Sequence, residues 1–328
     1  MSSTQVKSTN SDGVDTVGGM GLLSIGGSEG GGGFTKCLSA PRNRGLVGAI
    51  VVLLVGGVSL VLINGFDLFS VSGIHVGGDR FSDVGSRTVR EPTAVGDRLG
   101  VFVGYGQSNS DCCGSGPNPE VLSGNSIFNF YAGSNGSTFE YEEPMLGAYC
   151  RGSCPYLKVG NGLIEAGGFD EVVFSTAGMP GAPLGSLNGG LEEYPWFGFL
   201  VESYLGMKEK YGKVDGILFH QGESNVGLSS TYENEFDLFL ENLAAQGIAV
   251  GDGVGEVKIY VSRTTKCGAG EDEELREVQL GLAGKEGVVE GPNTDTISTD
   301  TFYRYDGCHF SQAGWDKVAE LWMEKLVV

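Results

Sequence analysis

From residue 98 onward, short apolar runs alternate with hydrophobic periods of helical spacing, and this alternation is the tightest constraint on what the chain can fold into. The runs Leu99 to Val103, Glu171 to Ser175, Val214 to Phe219 and Val257 to Ser262 have the length and apolar content of strands. Between or after them come three sets of residues that each fall on one helical face. These are Phe197, Leu200, Val201, Tyr204 and Leu205; Tyr232, Phe236, Phe239, Leu240 and Leu243; and Trp315, Val318, Ala319 and Trp322. Strand and helix in this order predict an α/β fold, a mostly parallel sheet flanked by helices on both faces. Its functional loops should lie at the C-terminal ends of the strands.

Asp111 to Gly168 breaks the repeat. It carries four cysteines, many glycines and few long apolar periods, so a long insertion is expected there, held by disulfides and placed as a wall beside the preceding loop. No internal repeat is evident.

The N-terminal part has a different character. Residues 1–44 are rich in Gly, Ser and Thr without an apolar period, which predicts a disordered tail. Gly30 to Gly33 do not read as a phosphate loop, because no strand, lysine or following helix accompanies them. Residues 45–63, GLVGAIVVLLVGGVSLVLI, hold nineteen uncharged positions. As a helix they would span roughly 28 Å, close to the hydrocarbon thickness of a bilayer. A transmembrane signal-anchor is the expectation, with a cleaved signal peptide ending near Ser70-Val71-Ser72 as the alternative. Lys36, Arg42 and Arg44 precede the span and Asp67 is the first charge after it, so the tail is expected in the cytoplasm and the rest in a lumen or outside. Residues 64–97 are read as a stem and 98–326 as the main domain.

Charge is divided at the same place. Seventeen of the 21 basic and 38 of the 41 acidic residues follow residue 64, a net charge of −21. Such a surface repels phosphate backbones and excludes nucleic acid as a natural partner. Six of the seven cysteines also follow the span, an even number suited to three disulfides in an oxidising compartment. A Cys267–Cys308 pair would tie the last loop to a neighbouring strand end. A metal site on Cys150 and Cys154 is the alternative, but no second pair has zinc spacing. Cys37 stands before the span as a palmitoylation candidate or a free thiol, and Asn135-Gly136-Ser137 is a glycosylation sequon.

Two short motifs carry the chemistry. Gly106-Gln107-Ser108-Asn109 follows the first strand, so Ser108 is expected where that strand breaks into a loop. Asp306-Gly307-Cys308-His309 lies just ahead of Ser311, a natural N-cap for the last helix. A tight turn there puts Asp306 in position to orient His309 toward Ser108. Serine needs such a base at neutral pH, and histidine titrates in the useful range. Two further segments follow strands: Gly178-Met179-Pro180-Gly181-Ala182-Pro183-Leu184 and His220-Gln221-Gly222-Glu223-Ser224-Asn225. His220 is read as a loop-packing residue, and the acids Glu271 to Glu274 as the solvated start of a helix.

With these four segments in this order, the chain resembles the SGNH hydrolase superfamily, and within it the sialate O-acetylesterase and carbohydrate esterase family 6 branch. The resemblance rests on the GQSN, HQGE and DxxH blocks and covers roughly residues 98–326. It implies a flavodoxin-like three-layer sandwich and a cofactor-free serine esterase acting on acetylated carbohydrate. It also implies Ser108 as nucleophile, His309 as base and Asp306 as the residue orienting it. The oxyanion donors would be the Ser108 N–H, a glycine N–H best matched by Gly181, and the Gln221 side chain. Gln107, Asn109, Gly222 and Glu223 would support the loops, with Glu223 as an acid the lesser alternative. The sequence departs from the family pattern in the two prolines around Gly181, in Cys308 within the DxxH block, and in Ser110-Asp111 after GQSN. A lipid or small-ester hydrolase with the same residues and a non-catalytic glycan-binding module remain competing expectations.

Overall fold

The computed structural model describes residues 52–55, 58–61, 80–116, 126–191, 194–268 and 270–327. The chain divides into two units, residues 1–69 and 70–328. In the first, β1 (Val52–Val55) and β2 (Val58–Val61) pair antiparallel, with Val52 opposite Val61. These eight residues are strand where the sequence predicted part of a membrane helix, in keeping with the strand preference of their valines. The rest of the 45–63 span, the tail and Cys37 lie outside the described residues. Among the described residues no helix is long and apolar enough to cross a membrane.

The second unit is built on a seven-stranded sheet. Its strands in chain order are β3 (Leu99–Gly106), β4 (Ile127–Tyr131), β5 (Ser137–Glu140), β6 (Glu171–Thr176), β7 (Gly216–His220), β8 (Lys258–Arg263) and β9 (Val288–Asn293). Their order across the sheet is β5-β4-β6-β3-β7-β8-β9, parallel throughout except for the β4–β5 hairpin. The helices are α1 (Tyr156–Glu165), the short α2 (Leu184–Leu187), α3 (Trp196–Tyr211), α4 (Ser229–Ala245), α5 (Glu273–Gly281) and α6 (Gln312–Leu326).

Alternate residues of β3 show how the three layers form, because successive strand side chains point to opposite faces. Val101, Val103 and Tyr105 pack with Leu200 and Tyr204 of α3 and with Phe236 and Phe239 of α4. Phe102 belongs to the opposite cluster, with Tyr156 and Leu157 of α1 and Trp315, Val318 and Trp322 of α6. The expected sandwich is therefore present. Ser311 caps α6 by accepting from the Gly314 N–H at 3.1 Å, and Asp272 caps α5 through the Leu275 N–H at 2.9 Å.

From β3 the chain builds β4 and β6 on one side, then crosses to β7, β8 and β9 on the other. The C-terminal ends of β3 and β7 thus flank a topological switch point, where α/β sheets open a crevice. Ser108 follows β3 directly.

Asp111 to Gly168 is more than the expected insertion, since it supplies β4, β5 and α1 to the sandwich. Its cysteines form disulfides as expected, in pairings the sequence left open, Cys112–Cys154 and Cys113–Cys150, and the suggested Cys267–Cys308 pair is the third. This rules out the zinc alternative for Cys150 and Cys154. The bridges close sequence separations of 42, 37 and 41 residues. Loops of that length give about 4 kcal/mol each in the chain-entropy treatment of a cross-link.

The segment read as a stem is laced along the body from residue 80 on. Phe81 exchanges hydrogen bonds with Gly147 and Ala148, and Thr88 and Arg90 bond the backbone of β5. The N–H groups of Thr93 and Ala94 both donate to the Glu171 carboxylate, each at 2.5 Å.

Candidate active site

Gly106 makes the strand-to-turn transition possible. Its φ is +137°, and a Cβ there would run into the His220 carbonyl oxygen of β7. Only glycine permits this combination of backbone angle and close approach. The Gln107 N–H then donates to that carbonyl at 3.0 Å, and Ser108–Ser110 form a buried 3₁₀ turn. The Ser108 carbonyl accepts from Asp111 at 3.0 Å and from Cys113 at 3.3 Å. The neighbouring Gln107 carboxamide oxygen receives the Ser224 N–H at 3.0 Å, which joins the turn to the loop after β7.

On the 306–309 turn both Asp306 oxygens are engaged. Oδ1 accepts the N–H groups of Cys308 at 2.9 Å and His309 at 2.7 Å, while Oδ2 lies 2.7 Å from His309 Nδ1. Burial alone would raise the Asp306 pKa, and these hydrogen bonds outweigh it and hold the carboxyl below its usual value. It is therefore ionised at neutral pH and is placed to accept a proton carried on Nδ1. Tyr305 stacks beside the imidazole at 6.1 Å between ring centroids, with its hydroxyl donating to the Cys113 carbonyl at 3.2 Å.

Asn109 stitches the two turns together. Its Nδ2 donates to Glu223 at 2.8 Å and to the Cys308 carbonyl at 3.4 Å, so the neighbours of Ser108 and His309 are in contact. The Ser115 N–H also reaches the Phe310 carbonyl at 3.1 Å. Among the described residues no hydrogen bond joins Ser108 to His309.

Glu223 is buried. Desolvation would raise its pKa, but the charge and hydrogen bond of His220 and the bond from Asn109 more than offset this and push it down to about 2. Its Oε1 accepts from Asn109 Nδ2 at 2.8 Å and lies 3.2 Å from His220 Nε2. His220 packs its ring edge-on to Phe310, which fits the loop-packing role read from sequence.

The expected oxyanion residues are placed unevenly. Gly181 sits in an exposed turn with φ +71° and no neighbour near its Cβ position. Gly178, by contrast, is buried, and a Cβ there would meet Ser110 Oγ at 2.7 Å and Gly106 O at 3.1 Å. Gln221 Nε2 donates inward, to Asn225 at 2.6 Å and to the Ala182 carbonyl at 3.2 Å. Gly222 is required by close approach, because a Cβ would collide with the Thr264 carbonyl.

Arg304 was not singled out by the sequence, which has no pattern marking it. It is fully buried over the Phe310 ring, donates to the Cys308 carbonyl at 2.7 Å and the Thr294 carbonyl at 3.0 Å, and so supports the histidine turn from beneath.

Asp111 is another buried acid, next to the Ser108–Ser110 turn. Desolvation dominates and Arg80 with the Tyr149 and Cys150 N–H groups opposes it, leaving the pKa at about 7. In the unfolded chain an aspartate titrates near ~3.9. The folded pKa is thus raised, so this group's contribution to stability is greatest below about pH 4 and declines as pH rises toward 7. Asp111→Asn should flatten that dependence. Urea midpoints at pH 4.5 and 7 check it, and an unchanged difference between the two would contradict it.

No protein-family profile and no curated protein matches the chain. Among solved structures, a protein from Arabidopsis thaliana is similar with a TM-score of 0.51 and 17% identity, over 69% of this chain and 96% of that one. A family 3 carbohydrate esterase from Clostridium thermocellum gives a TM-score of 0.39 at 12% identity, over 70% and 96% of the two chains. A lipase/acylhydrolase from Enterococcus faecalis gives 0.35 at 14%, over 68% and 92%. The likeness to the Arabidopsis protein spans nearly its whole length and shows that the α/β fold is shared.

Proposed function

We propose that the protein is an SGNH-type serine esterase that removes O-acetyl groups from carbohydrate through an acetyl-serine intermediate. The observation that carries this reading is the Asp306–His309 pair, tied through Asn109 to the turn that holds Ser108. In this reading His309 Nε2 takes the Ser108 proton as Oγ attacks the acetyl carbonyl. The resulting oxyanion is met by the Ser108 N–H and by a glycine N–H of the 178–181 segment, for which Gly178 fits better than Gly181. Gln221 joins them if its Nε2 lets go of the Ala182 carbonyl. Collapse of the intermediate expels the sugar oxygen, which takes the proton back from His309. A water then gives its proton to His309 and attacks the acetyl-serine, and Ser108 Oγ leaves, taking that proton back from His309 as acetate is released.

The wild-type protein tests this directly on acetylated sugars and on esters of longer acyl chains. Acetate release with kcat/KM falling as the acyl chain lengthens is expected. Faster turnover of long chains would move the reading to a lipid esterase, and no turnover at all would overturn it.

The apolar run at 45–63 is proposed to attach the domain to a membrane, with residues after it on the non-cytoplasmic side. Three disulfides support that compartment, as does the sequon at Asn135, which is exposed at the tip of the β4–β5 hairpin. Protease added outside sealed microsomes should spare the domain, and its digestion there would contradict this topology.

A further inference from the structure

We infer that Arg80 is a positioning residue for the oxyanion donor at Gly178, an inference that rests on the esterase reading above. Arg80 lies on the segment that the sequence presents as a stem, yet its guanidinium is buried in the body. Nη1 donates to the Gly147 carbonyl, while Nη2 donates to the carbonyls of Gly178 at 2.6 Å and Ala177 at 3.3 Å. The cation sits 4.0 Å over the Phe199 ring and faces Asp111.

Its partners are the residues that continue β6 toward the site. The Ala177 N–H bonds the Gly104 carbonyl at 3.0 Å, and the Met179 N–H bonds the Gly106 carbonyl at 2.9 Å. A trans peptide sends its C=O and N–H in opposite directions. The peptide between Gly178 and Met179 is therefore held at both edges, by Arg80 on the oxygen and by the end of β3 on the N–H. The peptide before it has its oxygen drawn to the same guanidinium, which turns the Gly178 N–H away from Arg80. Among the described residues that N–H has no acceptor, and Gly178 itself packs against Ser110 and Asp111 of the nucleophile turn. A donor that is free and held beside Ser108's own turn is what a developing oxyanion needs.

The chemistry of the side chain matters here. Guanidinium presents several donors in one rigid plane and serves three carbonyls at once, whereas lysine offers a compact point charge on a flexible stem. A merely structural arginine would affect melting but not the chemical step once the protein is folded.

The test compares Arg80→Lys and Arg80→Gln with the wild type, and with Arg90→Gln, which removes an ion pair of the same segment to Glu140 away from the Ser108 turn. All are assayed for acetyl-ester turnover well below their melting temperatures. The Arg80 variants should lose about 10- to 100-fold in kcat with KM within about twofold, as expected for a misplaced transition-state donor. Arg90→Gln should keep its kcat. If Arg80→Gln does not fold, Arg80→Lys alone carries the comparison. An active wild type with folded Arg80 variants of unchanged kcat would overturn the role of Arg80 and leave the esterase reading standing. An inactive wild type would remove both.

Discussion

Asp306→Asn is expected to lower kcat by on the order of 10³ to 10⁴ while leaving KM nearly unchanged. Asp306 performs three tasks with two oxygens: it accepts two backbone N–H groups and the imidazole Nδ1. An asparagine has the same shape but only one acceptor oxygen. If that oxygen keeps the Cys308 and His309 N–H bonds, the NH₂ faces Nδ1 and stabilises the tautomer whose proton sits on Nε2. The base then cannot take the Ser108 proton. If the amide turns the other way, the NH₂ opposes two backbone donors and the turn itself is strained. The carboxylate is partly exposed, its side chain 39% accessible, so the loss should appear in rate far more than in stability. Steady-state kinetics beside a thermal melt separate the two. Activity within tenfold of wild type would show that Asp306 does not orient the base.

Gly106→Ala should have the largest effect on stability. Backbone at φ +137° excludes a side chain, and the added methyl group would be driven into the His220 carbonyl at the point where β3 and β7 converge. Neither strand can yield there without breaking the Gln107–His220 hydrogen bond. The expected cost is more than ~3 kcal/mol, the range associated with forced backbone strain and core overpacking. For a domain of this size that lowers Tm by at least ~6 °C. Gly212→Ala is the informative contrast. That residue ends α3 at φ +78° with open space around its Cβ position, so only the ordinary left-handed penalty of about 1 kcal/mol applies. Equal costs for the two substitutions would refute the close-approach argument.

Those cases show which features were readable in advance. The central strands β3, β6, β7 and β8 were legible because each has an unbroken apolar run at its centre, Val101 to Val103, Val172 to Phe174, Ile217 to Phe219 and Ile259 to Val261. β9 was hidden by the Gly-Pro pair in VVEGPN, and β4 and β5 by the glycines and cysteines around them. α1 carries two glycines of its own, one pressed against Ile127 and Phe174 and one against Met323. Close packing put them there, against helix propensity.

The site divides along similar lines. Ser108, Asp306 and His309 belong to short contiguous blocks whose residue types announce their chemistry. Gly178 and Gly181 lie in one such block, and telling them apart needed the packing around each. Arg80 acts on backbone carbonyls distant in sequence, and Arg304 on those of Lys266, Thr294 and nearby Cys308, from positions that no local pattern marks. Buried arginines of this kind become visible only when the chain has folded around them.

The most direct measurement of the central claim is acetate release from acetylated sugar by the wild-type protein and by Ser108→Ala at matched, folded concentration. Ser108 is buried at the end of β3, and removing one hydroxyl there should leave Tm within a few degrees. The account predicts turnover by the wild type and a loss of at least ~10⁴-fold in the variant. Turnover that survives the substitution would place the nucleophile elsewhere and contradict it.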